Sequence, residues 1–123
     1  MGSRYLNDLR RSERIVFRAP ARVLADGPVP IEGRLIDMSE SGAGMLAHSP
    51  IPVDTQCMVA FVPPGARSGQ ELNFLARVIY CCITDYGFRL GFRFVDMDSY
   101  SRSCIDDILL QYRGFPPVIG TMN

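Results

Sequence analysis

Ile15-Val16-Phe17-Arg18-Ala19-Pro20-Ala21-Arg22-Val23-Leu24 alternates with a period of two: Ile15, Phe17, Ala19, Ala21 and Val23 on one side, Val16, Arg18, Pro20, Arg22 and Leu24 on the other. Successive side chains of an extended strand point to opposite faces, so this stretch reads as a strand with one face on a core. Ala25-Asp26-Gly27-Pro28 follows as a turn. Strand-like stretches then recur at Ile31–Met38, Ala43–Ala47, Cys57–Val62, Leu72–Ile83 and Tyr86–Val95. They are separated by Ser39-Glu40-Ser41-Gly42, a Pro63-Pro64-Gly65 loop and a turn around Thr84-Asp85.

After Val95 the period changes. Met97, Tyr100, Ser101, Cys104, Ile105, Ile108, Leu109 and Tyr112 fall at spacings of three and four, the stripe of an amphipathic helix. Asp96, Asp98 and Ser99 suit its N-terminus, and Gly114 with Pro116-Pro117 suits its end. Short strands with frequent turns, then one helix, predict a mainly β fold: a six-stranded antiparallel β-barrel, closed or nearly so, with a C-terminal α-helix packed on it. Residues 1–13 read as a basic, aperiodic arm, 14–113 as the barrel with its helix, and 114–123 as a tail. The apolar run Phe115-Pro116-Pro117-Val118-Ile119 in that tail fits docking on a partner or back on the barrel.

The 123 residues suit one domain, and 47% hydrophobic against 21% charged residues allows a packed core. No apolar run approaches the ~18–20 residues needed to cross a bilayer, and the N-terminus lacks a signal-peptide pattern. The sequence therefore leads us to expect a cytoplasmic protein without membrane insertion. Cys57, Cys81, Cys82 and Cys104 form no Cys-x-x-Cys and no Cys/His cluster, so no metal site is expected and reduced, buried thiols are. The sole histidine, His48, has no neighbour to make it a ligand or a general base. Without a nucleophile–His–acid set or a glycine-rich phosphate loop, no catalytic residue is expected, nor any cofactor, and the chain is not read as an enzyme.

Charge is distributed unevenly although the net charge is zero. Every basic residue is Arg. Six arginines face two acidic residues between Met1 and Arg22, whereas four aspartates face one arginine between Asp96 and Tyr112. A basic arm on a neutral body suits a small anionic ligand better than a nucleic-acid track. Guanidinium also forks onto phosphate and onto the O6/N7 edge of guanine, which ammonium does not.

Two spacings stand out. Arg10-x-x-x-Arg14, with Arg11 inside it, precedes the first strand, and Asp37-x-Ser39-x-x-Gly42 lies between the second and third. The arginine spacing is weak, since roughly 1.3 such pairs are expected by chance from this composition. The Asp/Ser/Gly spacing is rarer, at roughly 0.06 chance occurrences, although it also describes an ordinary turn.

Together with Leu90-Gly91-Phe92-Arg93-Phe94-Val95-Asp96 before the helix, these motifs resemble the PilZ domain family over about Arg10 to Tyr112. The resemblance implies a six-stranded barrel whose arm and turn bind cyclic di-GMP. It carries Arg10, Arg11, Arg14, Asp37, Ser39 and Gly42 over as ligand-binding residues, with Arg18 and Gly44 as additional candidates. Arg14-x-x-x-Arg18 has the same spacing, so the key pair is Arg10/Arg14 or Arg14/Arg18; Arg14 directly before the alternating set favours the former. An ionised Asp37 is suited to the N–H edge of guanine, Ser39 to bridging, and Gly42 to close backbone approach or a positive φ. Such a receptor is expected to change conformation with its ligand and to act through an output protein. The alternatives are a protein-interaction adaptor of this family that binds no nucleotide, and a small-barrel nucleic-acid binder. The latter ranks low: no DNA is expected, because Phe17, Phe61, Phe74, Tyr80, Phe88, Phe92 and Phe94 mostly follow core patterns rather than a stacking platform.

Overall fold

The structure is a computed structural model that describes residues 14–64 and 70–114. Six strands form a closed antiparallel barrel: β1 (Ile15–Leu24), β2 (Ile31–Met38), β3 (Gly42–Ala47), β4 (Gln56–Phe61), β5 (Leu72–Thr84) and β6 (Gly87–Asp96). Around the barrel they run β1-β2-β3-β6-β5-β4, with β4 returning to pair with β1. Closure leaves no sheet edge unpaired. Helix α1 (Ser99–Gly114) follows β6 directly.

The alternation of β1 is realised without exception, from Ile15 buried to Leu24 exposed. Phe17, Val23, Leu35, Met38, Met45, Val59, Phe61, Phe74, Leu90 and Phe92 fill the interior. Phe17 meets Phe61 edge-on at 5.8 Å between centroids, and Phe61 meets Phe74 at 6.2 Å. Each buried large apolar side chain contributes about 1.5–3 kcal/mol of transfer free energy, and edge-to-face pairing adds about 0.5–1.5 kcal/mol. Two expected core aromatics lie elsewhere: Phe88 is only half-buried, and the half-buried Tyr80 ring lies over Gly91, its register partner.

Asp98 caps α1, its Oδ1 accepting the Ser101 backbone N–H at 2.7 Å. Ile105 and Leu109 are buried against the barrel, and Tyr112 meets Phe17 edge-on at 5.5 Å. The helix thus lies over the Phe17 region. Arg102 stands over the Phe94 ring at 5.7 Å.

Only Cys57 is fully buried among the four free cysteines; Cys81 and Cys104 are half-buried and Cys82 is exposed. Buried thiols were expected throughout, but the adjacent Cys81 and Cys82 occupy opposite faces of β5, which necessarily turns one outward. Burial pushes the Cys57 thiol up from 9.0 to about 11. No helix among the described residues is long and apolar enough to cross a membrane, and no cluster of potential metal ligands occurs among them.

Candidate ligand-binding site

The site begins with an irregularity in β2. Register shifts occur between Leu35 and Asp37 in the β2–β3 ladder and between Val16 and Ala19 in the β1–β2 ladder. Strict alternation from the buried Leu35 would send Asp37 to the interior. The extra residue, Ile36, instead lets Leu35 and Met38 both face inward and sets Asp37 opposite Gly44 on the outer face.

There Asp37 accepts two guanidinium hydrogen bonds. Arg14 Nη1 donates to Oδ1 at 2.8 Å, and Arg89 Nη2 donates to Oδ2 at 3.0 Å. The carboxylate is 18% exposed, and the two arginine side chains 38% and 37%. Arg89 lies on β6, 52 residues beyond Asp37, and reaches it because closure places β6 beside β3. Arg89 Nε is buried and has no hydrogen-bond partner among the described residues. Two cations on one anion leave this patch with a positive excess.

The neighbouring glycines shape the patch. A Cβ on Gly44 would sit 2.5 Å from Asp37 Oδ1 and 3.3 Å from Arg89 Nη2, so only the bare backbone admits the ion-pair cluster. At Gly42 a Cβ would strike the Phe92 carbonyl oxygen, so that residue serves the close approach of β3 to β6. A positive φ, one of the two roles expected of Gly42, is found instead at Gly87.

Ser39 is 1% exposed and closes the turn. Its backbone N–H donates to the Gly42 carbonyl at 2.8 Å, and its Oγ accepts the Ser41 N–H at 3.3 Å. The turn is tied to β6 by the Phe94 N–H, which donates to the Ser41 carbonyl at 2.9 Å. Ser39-based bonding of this kind closes the turn just after Asp37 and fixes the chain's exit from β2.

The structure therefore brings together Arg14, Asp37, Ser39, Gly42 and Gly44, and adds Arg89. Arg18 is exposed on β1 and lines an open groove alongside the cluster rather than pairing with Asp37. Arg10 and Arg11 lie outside the described residues, as do the rest of the 1–13 arm and the 115–123 tail. Arg89 carried no signal of its own in the sequence, where arginines are many and its partner is distant.

A family model for the PilZ domain matches residues 8–111, which takes in every strand and most of α1. The chain belongs to the PilZ domain family. No curated protein sequence matches it. Among solved structures, this PilZ chain is similar to the Bacillus subtilis inhibitor of motility MotI/DgrA, with a TM-score of 0.70 and 7% identity over 81% of this chain and 49% of that one. It is also similar to the PilZ domain of Escherichia coli YcgR solved with c-di-GMP, with a TM-score of 0.64 and 19% identity over 85% and 91% of the two chains. A third is the PilZ domain of CeSA from a cellulose-synthesizing bacterium, with a TM-score of 0.60 and 22% identity over 81% and 97%. The chain spans about half the length of the first of these, and the likeness is one of fold.

Proposed function

We propose that this PilZ domain is a receptor for cyclic di-GMP, bound on the outer face of the barrel at the Arg14–Asp37–Arg89 cluster. The observation that carries the reading is that cluster itself: the family's Asp and Arg motifs converge on one carboxylate, in a domain of the fold that YcgR uses with the same nucleotide. Each guanidinium has five N–H donors and commits one nitrogen to Asp37, so both retain donors for phosphate oxygens. Asp37 has about four lone-pair sites and can keep its arginines while accepting from the N–H edge of a guanine.

In this reading Arg10 and Arg11 join from the arm, with Arg10/Arg14 the principal pair. Ser39 acts by holding the turn. Binding recruits Arg14, directly before β1, and so transmits ligand occupancy to the arm, whose new surface an output protein reads. The role is that of a cytoplasmic binding domain rather than an enzyme.

Isothermal titration of the whole chain with cyclic di-GMP tests the reading. Saturable binding at micromolar concentrations that Arg14→Ala weakens is the expected result. Absence of heat at tens of micromolar overturns it in favour of an adaptor that binds no nucleotide.

A further inference from the structure

A row of register partners crosses the outer face from Pro20 on β1 through Arg34 and Leu46 to Arg89 on β6. Arg89 is the end of this row that holds Asp37. The other end opens into a groove of about 650 Å³ lined by Arg18, Glu32, Arg34, Leu46, His48 and Tyr86, among others. Small-molecule sites fall at about 300–1,000 Å³, so the groove is large enough to matter.

Its lining has an unusual mixture for an exposed barrel face. Two guanidiniums and an imidazole share it with a single carboxylate. Tyr86, at the tip of the β5–β6 hairpin, is 82% exposed and lines the groove, so its ring is available to a ligand there. Arginine donors suit the O6/N7 edge of guanine, and a carboxylate suits its N1–H and N2–H edge. A tyrosine ring offers the base a stacking face, and Leu46 an apolar floor. Arg34 precedes Asp37 by three residues on β2, roughly 10 Å along the strand. That separation suits the two halves of one cyclic dinucleotide.

We infer that the groove is a distal subsite that takes the second guanine of the cyclic di-GMP molecule whose phosphates sit on the Arg14–Asp37–Arg89 cluster. This rests on the receptor reading above. Tyr86 stacks on the base, Arg34 and Arg18 address its O6/N7 edge, and Glu32 selects guanine over adenine, which presents no N1–H and no N2 amine.

Titration of the whole chain tests the subsite, with cyclic di-GMP and cyclic di-AMP as probes. The variants are Arg34→Ala, Tyr86→Ala and Glu32→Gln, with Arg14→Ala for comparison. All three groove positions are exposed, and unchanged melting curves establish that the variants fold. Tyr86→Ala and Arg34→Ala are each expected to weaken cyclic di-GMP about five-fold or more. Glu32→Gln is expected to narrow the preference for cyclic di-GMP over cyclic di-AMP by about ten-fold. If Arg14→Ala loses affinity while all three groove variants bind both nucleotides like the wild type, the subsite is overturned and the receptor reading survives. If the wild type binds no cyclic di-GMP, both fall together.

Discussion

Replacing Gly44 by alanine separates the site from the fold. The added methyl would lie 2.5 Å from Asp37 Oδ1 and 3.3 Å from Arg89 Nη2. Ordinary contact distances are about 3.5 Å, so the carboxylate must retreat by roughly 1 Å. The Arg14 and Arg89 bonds, now 2.8 and 3.0 Å, then stretch past hydrogen-bonding range or break. What yields is the end of a side chain, not backbone, so the strands keep their register.

Losing two partly exposed ion pairs costs about 0.2–1 kcal/mol each. Restricting the unfolded chain by exchanging Gly for Ala offsets about 0.4–1 kcal/mol of that. Net stability should therefore change by less than about 1 kcal/mol, a Tm shift on the order of 4 °C. Affinity for cyclic di-GMP should fall at least ten-fold, about 1.4 kcal/mol, because both arginines lose the group that positions them. Gly42→Ala is the contrasting variant. Its methyl strikes the backbone carbonyl of Phe92, which cannot rotate away, and it should destabilise by about 1–3 kcal/mol. Calorimetric melting and isothermal titration on both variants read the two effects. A Gly44→Ala protein that melts normally and binds cyclic di-GMP with wild-type affinity would show that Asp37 in this position does not organise the site.

Further predictions concern the parts around it. Arg89→Ala should weaken cyclic di-GMP by about ten-fold with little loss of stability, since the pair it breaks is only partly buried; wild-type affinity would remove Arg89 from the site. Asp98→Ala removes the α1 cap and should cost about 1 kcal/mol, read as a lower Tm and faster amide exchange in the first helical turn. Phe17→Ala should cost about 3–5 kcal/mol in denaturant unfolding, because Phe17 joins Phe61 in the core and Tyr112 of the helix. The raised Cys57 pKa favours the folded state fully below pH 9.0, and that contribution is lost as pH rises from there through about 11. Denaturation midpoints in that range should fall less in Cys57→Ala than in the wild type, and thiol reagents at neutral pH should reach Cys82 before Cys57.

Much of the architecture was legible because it depends on local periodicity. The alternation of Ile15 to Leu24 and the three-and-four spacing from Met97 to Tyr112 reflect how each segment buries its own apolar face. The β1 pattern survives residue for residue; on the helix Ser101, Ile105 and Leu109 are buried as the stripe implies, whereas Tyr100 and Tyr112 are exposed. The Asp37/Ser39/Gly42 turn was legible too, since Ser39 bonds atoms only two or three residues away.

The site was legible only in part. Its chain-adjacent half, Arg14 with the Asp37 turn, follows from motif spacing. Three features did not follow. Arg89 belongs because barrel closure carries β6 alongside β3, a long-range pairing with no mark in local sequence. Gly44 was a candidate from the resemblance, but its reason was not legible: a carboxylate on the adjacent strand occupies the space its side chain would need. The outward face of Asp37 depends on a bulge at Ile36, where simple alternation from Leu35 would have buried the carboxylate. By itself, then, the sequence determined which segments are strands and helix, and which turn bears the acid, because those are set by neighbours along the chain. Tertiary structure alone decided which way Asp37 points and which arginine meets it, because register, bulges and closure are settled between strands.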